Sequence, residues 1–151
     1  MKLVVTGSRT WDDAEYIWRI LDQHLNAELG IALHHGACPK GADQIADQWA
    51  TQRKLQGRPV RMRRWPAQWR DENGVYDPRA GFRRNTDMVK LIASWQGWGR
   101  PPKCLAFIRD HSAGATHCAN EAARAGIEVI RYRWEDRSGQ LNLLDLIGAT
   151  S

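Results

Sequence analysis

Long apolar runs are missing from this chain of 151 residues. None approaches the roughly 18 residues that a membrane span requires, so no membrane partner is expected. The first residues enter a strand-like run at Leu3 after a single lysine. They lack the apolar core and small-residue cleavage site of a secretion signal, and the expected location is the cytoplasm. Cysteine is scarce: Cys38, Cys104 and Cys118 have no CxxC spacing, which argues against a disulfide scaffold and fits reduced thiols. No Cys/His cluster has zinc spacing. The neighbours His34 and His35 point to opposite faces of a regular strand, so no metal site is expected. There is no GxSxG, no HExxH and no carboxylate pair of persuasive spacing, which removes the common hydrolase constellations. Repeats and low-complexity segments are absent too. At 42% hydrophobic and 26% charged residues, the chain reads as one globular domain with one core.

What is present is a set of three glycine-bearing turns, each after a short apolar run and before a stretch of helical period. Gly7-Ser8-Arg9 follows KLVVT, Gly36 to Asp43 (GACPKGAD) follows IALHH, and Ser112 to Thr116 (SAGAT) follows CLAFI. A glycine turn between strand and helix exposes backbone N–H groups beside the positive end of the helix dipole, a geometry suited to phosphate. Strands are expected at 2–6, 31–35, 59–64, 103–108 and 128–132. In the first helix Thr10 is expected to cap, with Asp13 completing a capping box. Its apolar stripe is Ile17, Ile20, Leu21, Leu25 and Leu29, and Gly30 ends it. The second helix carries Ala42, Ile45, Ala46, Trp49 and Ala50. The third carries Met88, Leu91, Ile92 and Trp95 on one face, and the fourth Ala115, Cys118, Ala119 and Ala122. Residues 65–80 show no period, which in a compact domain marks a functional or mobile loop. A short helix is expected at Leu141 to Ile147. Strands alternating with helices predict an α/β fold: a single Rossmann-like three-layer domain around a mostly parallel five-stranded sheet, in the order 3-2-1-4-5. Ligands in such sheets bind at the carboxyl ends of the strands, where all three glycine turns fall.

Net charge is +5, and its location is informative. Residues 58–84 hold eight arginines against Asp71, Glu72 and Asp77, so the remainder of the chain sums to zero. This fits an anionic partner, or a solvated arginine-rich face. In the first turn Arg9 offers a bidentate grip on phosphate, or is simply exposed on a tight turn. The second turn lacks the GK[ST] ending of the ATPase loop, so a Walker site is rejected. There Asp43 either caps the helix or accepts from a ribose hydroxyl or base amine. Arg83, Arg84 and Asn85 open the third helix, and Asn85 reads a base edge or holds a backbone turn. Ser112, Gly114 and Thr116 offer a second phosphate site, with capping by Ser112 the simpler alternative. Of eight tryptophans, Trp18, Trp49 and Trp95 fall within helices, while Trp11, Trp65, Trp69 and Trp98 fall in turns or loops. Rings in loops anchor the loop or stack on a base, and Trp11 and Trp69 are the better stacking candidates.

The strings VVTGSRTW, HGACPKGADQIADQWA, PAQW, AGFRRNTDMV and CLAFIRDHSAGATHCANEAARAGI together resemble the YspA-like branch of the SLOG superfamily, over about residues 3 to 132. That superfamily includes the LOG phosphoribohydrolases and the Smf/DprA DNA-processing proteins. The resemblance implies a nucleotide-binding domain over residues 1–132, with residues 133–151 as a C-terminal extension packed on it or trailing from it. It also implies a pocket for ADP-ribose-like molecules or other signalling nucleotides. Carried over by position, Gly7, Ser8 and Arg9 match the first turn of the pocket, and Gly36, Gly41 and Asp43 the second. Arg84 and Asn85 match the entry to the third helix, and Gly114 and Thr116 the fourth-strand turn. The hydrolase branch carries a PGGxGTxxE-type motif whose glutamate assists N-glycosidic cleavage. Here the stretch is HSAGATHCA, with Ala119 near the glutamate's place. Glu121 lies two residues further on, turned by about 200°. The expected partner is therefore a bound nucleotide-derived ligand and no other cofactor. The alternatives are an N-glycosidase or phosphoribohydrolase acting through Asp43 or Glu121, and a single-stranded nucleic-acid binder; assembly with a second copy of the chain stays open.

Overall fold

The computed structural model describes residues 1–95 and 99–138. Five strands, β1 (Lys2–Gly7), β2 (Ile31–His35), β3 (Val60–Arg64), β4 (Lys103–Ile108) and β5 (Glu128–Arg133), form one sheet in the order β3-β2-β1-β4-β5. Every pairing is parallel, with Leu3 level with Leu33 on one side and with Lys103 on the other. The strands therefore need crossover helices, and these are α1 (Ala14–Ala27), α2 (Ala42–Leu55), α3 (Ala80–Ser94) and α4 (Ala113–Arg124).

Side-chain alternation along β1 builds the three layers. Leu3 and Val5 enter a core with the buried faces of α1 and α2, while Val4 enters a second core with Met88, Val89 and Ile92 of α3 and Cys118 and Ala122 of α4. A strand covered on both faces must be apolar throughout, and Leu3, Val4 and Val5 are all fully buried. On α2 the buried Ala42, Ala46 and Ala50 let the helix sit close to the sheet. On α4, Ala115, Cys118, Ala119 and Ala122 do the same. His34 and His35 diverge as expected: His34 Nδ1 accepts from Trp65 Nε1 at 3.1 Å, while His35 Nε2 meets Asp47 of α2 at 2.8 Å.

Several local expectations are corrected. The cap of α1 is Asp13, whose carboxylate accepts from Tyr16 N–H at 3.1 Å. Thr10 instead donates to Asp110 across the sheet edge. The helix ends at Ala27, short of Gly30, so Leu29 leaves the stripe and is fully exposed. On α3 the buried face is Asn85, Met88, Val89 and Ile92; Leu91 is half-buried and Trp95, past the helix end, is 45% exposed. A short 3-10 turn, Trp134–Asp136, follows β5, with Trp134 packed edge-on against Trp11 and Arg137 paired with Asp13. The helix expected at 141–147 and the ring of Trp98 lie outside the described residues. Among the described residues no helix is long and apolar enough to cross a membrane.

Candidate functional site

At the carboxyl edge of the sheet the turns after β1, β2 and β4 and the first turns of α3 enclose a pocket of about 380 Å³. The crossing of β1 and β4 at the sheet centre creates it, because α1 and α2 leave on one face and α3 and α4 on the other. Its lining is Thr6 to Thr10, Arg109 to Ala115, Gly36, Cys38 and Asp43 of the second turn, and Trp69, Pro78 and the start of α3.

Gly7 is required by packing. A Cβ there would stand 2.4 Å from Ala42 Cβ and 2.6 Å from the Phe107 carbonyl oxygen. Ser8 is buried, and its hydroxyl bridges the two central turns: Oγ donates to the Arg109 carbonyl at 2.7 Å and accepts the Arg109 N–H at 2.8 Å. Its hydroxyl proton is therefore committed to the protein. Arg9 is exposed at the pocket and makes no hydrogen bond or ion pair with any described residue. Arg109, by contrast, is engaged: its guanidinium donates to Thr10 O and Asp12 and lies 4.0 Å over the Trp134 ring.

The second loop supports the pocket more than it faces it. Gly41 has φ +77°, and a Cβ there would collide with Ser8 O and Arg9 Cα, so this glycine lets the second loop close on the first. It does not line the pocket. Gly36 gives its carbonyl to Arg84 Nη1 and leaves room for the guanidinium. Arg84 also donates to Trp65 O at 2.8 Å and to Asn85 Oδ1 at 2.9 Å. Burial pushes its pKa down, and the nearby Asp43 partly offsets this. Asp43 does not cap α2; its carboxylate accepts the Cys38 N–H at 3.3 Å and so braces the loop. Burial raises its pKa, against the opposing influence of His35 and Arg84. Ala37 and Asp110 both hold positive φ, at 58° and 57°. Such conformations cost about 1–3 kcal/mol each and cluster where a site needs them.

Asn85 is buried and its amide is spent on protein. Nδ2 donates to Gly114 O at 3.2 Å, and Oδ1 accepts from Arg84 Nε. The side chain thereby ties α3 to the first turn of α4 while lining the pocket. Ser112 caps α4 through Ala115 N–H at 3.3 Å. The N–H groups of Ala113 and Gly114 have no acceptor among the described residues, as first-turn amides of a helix do not within it. Thr116 is exposed and off the pocket wall. Trp69 lies against α3, 3.1 Å from where a Cβ on Gly81 would stand, and stacks on Tyr76.

Trp11 is corrected outright. It is 1% exposed, packed among Tyr16, Phe107 and Trp134, with Nε1 donating to Asp13 O. It is a core residue and cannot stack on a ligand. Glu121 lies off the pocket, held by Arg124 at 2.8 Å and facing His117 at 3.6 Å. Sequence reading missed Phe82, Met88, Arg109, Asp110 and His111, all of which line the pocket. The run Arg109 to His111 follows directly on β4, so position at the carboxyl end of a central strand was the available signal. Among the described residues no cluster of three His, Cys, Asp or Glu side chains could hold a metal.

The model of the YspA, cpYpsA-related SLOG family matches residues 1–72, which carry the first two turns of the pocket. A relative, the Gene 61 protein of Mycobacterium phage D29, is 35% identical over 132 residues, covering 87% of this chain and 95% of its own. The chain belongs to the YspA-like SLOG family. Membership in that SLOG family associates it with nucleotide-related ligands. The phage relative extends the similarity past residue 72, over a span long enough to reach α3 and the β4 turn.

Proposed function

We propose that the protein binds a phosphorylated nucleotide-derived ligand in this pocket, as a sensor, carrier or sequestering domain. Gly114 carries the reading. A glycine in a helix costs about 0.5–1 kcal/mol relative to alanine, yet no protein atom lies within 4 Å of where its Cβ would stand. The space serves no packing within the chain; it suits a ligand brought close to the unpartnered amides of Ala113 and Gly114. A phosphate there meets the positive end of the α4 dipole and the uncommitted guanidinium of Arg9. Trp69 and Phe82, at 36% and 39% exposure, offer apolar ring surface in the same pocket for a base.

The chemistry present favours holding over cutting. Ala119 is fully buried and Glu121 is tied to Arg124, so neither supplies an acid to the pocket. Calorimetry against ADP-ribose, NAD, nucleoside monophosphates and cyclic dinucleotides tests the proposal, together with mass spectrometry of anything released on denaturation. Binding of one class and not the rest is expected; no binding and no released nucleotide sinks it.

One observation favours a second reading, cleavage of an N-glycosidic bond. Asp43 lines the pocket with its pKa raised by burial, as a general acid requires. Free base released by the protein and abolished in Asp43→Asn supports cleavage. Binding without release supports the first reading.

A further inference from the structure

The opposite edge of the sheet, where the strands begin, carries a second concavity of about 670 Å³. Lys2, Lys54, Arg58, Arg61 and Arg100 line it, and no carboxylate does. Arg100 is neutralised by Glu28 at 3.0 Å. Among the described residues none of the other four has a salt bridge: Arg58 donates to the neutral Asn26 amide with the Asp22 carboxylate in electrostatic reach, Lys2 rests 4.5 Å over the Trp95 ring, and Lys54 and Arg61 are exposed with no partner. Lys54 lies in the last turn of α2, where the helix dipole favours a cation. That account does not extend to Lys2 and Arg61, which stand on strands β1 and β3, and a sheet has little dipole to offset. Four like charges around one cleft repel each other, so their placement is explained by an anion with several charges spaced along it.

We propose that this cleft binds single-stranded nucleic acid. A cationic groove that follows a phosphate backbone, with an aromatic ring beside it for a base, is the general recipe for strand binding. Trp95 supplies the ring: it is 45% exposed at the end of α3 and adjoins the cleft through Lys2. The exposed ring selects a single strand over a duplex, whose bases are already stacked on one another. The site is independent of the nucleotide pocket at the other edge.

Fluorescence anisotropy with a labelled 15-mer of thymidine tests it, on the full chain. Binding is expected at 50 mM salt and should weaken at least tenfold by 200 mM, since each neutralised phosphate steepens the salt response. The double variant Lys54→Glu with Arg61→Glu should lose at least tenfold more. Arg79→Glu with Arg133→Glu, the same charge change on exposed residues away from the cleft, should lose less than threefold. Trp95→Ala should weaken binding about fivefold or more, and the corresponding duplex should bind more weakly than the strand. Absence of binding at 50 mM salt overturns the proposal. So does equal loss in the two double variants, an unchanged Trp95→Ala, or a duplex that binds as well as the strand. Both double variants change exposed side chains without ion-pair partners among the described residues, so circular dichroism is expected to show native folds in each.

Discussion

Arg9 and Gly114 line the same pocket, and they are expected to fail in opposite ways when changed. Arg9 has no protein partner, so Arg9→Ala should leave the urea midpoint within error. It should weaken binding of a phosphorylated ligand by about 1.5–3 kcal/mol, the usual size of a charged hydrogen bond. Calorimetry on the ligand class identified in the first screen reads this directly, and an unchanged affinity removes Arg9 from the site. Gly114→Ala should stabilise α4 by up to about 1 kcal/mol, because alanine is the better helix residue and its methyl meets empty space. The same methyl should cost at least tenfold in ligand affinity if phosphate approaches the Gly114 amide. A variant more stable and equally able to bind would show that the empty space has nothing to do with the ligand. Gly7 and Gly41 behave differently, since side chains there collide with Phe107, Ser8 and Arg9. They shape the pocket, Gly7 on the wall itself and Gly41 from behind it.

The third helix is where one element sets the geometry of another. Asn85 reaches from α3 to the carbonyl of Gly114 in α4, and Arg84 reaches from α3 to the carbonyls of Gly36 and Trp65. Two adjacent residues of α3 thus fix three other segments of the pocket rim. Removing a buried, satisfied amide leaves its partners unpaired and costs about 1–3 kcal/mol. Asn85→Ala should therefore lower stability by that amount in ligand-free protein, measured by urea unfolding. Unchanged stability with weakened ligand binding would mean that the amide reads the ligand instead. This element-scale role explains what the sequence made legible and what it did not. The strand boundaries and order were readable because apolar runs and glycine punctuation are local, and parallel topology follows from alternation. The glycine turns at the strand ends were readable for the same reason, whereas Arg109, Asp110 and His111, which directly follow β4, were not. Trp11 was not: a ring in a turn looks available until the fold drops it between Tyr16, Phe107 and Trp134, residues up to the far end of the chain. Gly41 was misread because a glycine's neighbour in space, here Ser8, is not written beside it in sequence. Arg109 lay in a string already examined, but its engagement with Thr10 and Asp12 depends on β1 and β4 being adjacent.

At the scale of the whole molecule, a buried histidine is expected to couple the stability of the sheet to acid. His34 lies on β2, facing the core side that holds Trp65, and its Nδ1 accepts the Trp65 N–H. Burial is the main reason that its pKa falls to about 4, with Arg63, Lys2 and His35 adding repulsion. In the unfolded chain a histidine titrates near 6.5. Between those values the unfolded state binds the extra proton, so stability rises with pH. The contribution of His34 is thus complete above about pH 6.5 and is lost as pH falls toward 4, by no more than about 3 kcal/mol. Asp43 acts in the opposite sense, because its raised pKa makes the folded state bind the extra proton above the ordinary carboxylate range. Asp47 has its pKa lowered, by Arg64 first and then His35 against burial; its contribution disappears only below the ordinary carboxylate range. Asp22, whose pKa is also lowered, against burial, by its bonds to Arg53 and Trp49, adds to the wild-type curve, which therefore mixes several groups; a variant isolates His34. His34→Gln keeps an acceptor for Trp65 and cannot take up the proton. Urea midpoints of wild type and His34→Gln, measured from pH 4 to pH 8, should differ by an amount that changes between pH 6.5 and 4 and is constant above pH 7. In that window the wild type should lose stability faster than the variant. Parallel curves across the whole range would mean that His34 is not the group that couples protons to folding.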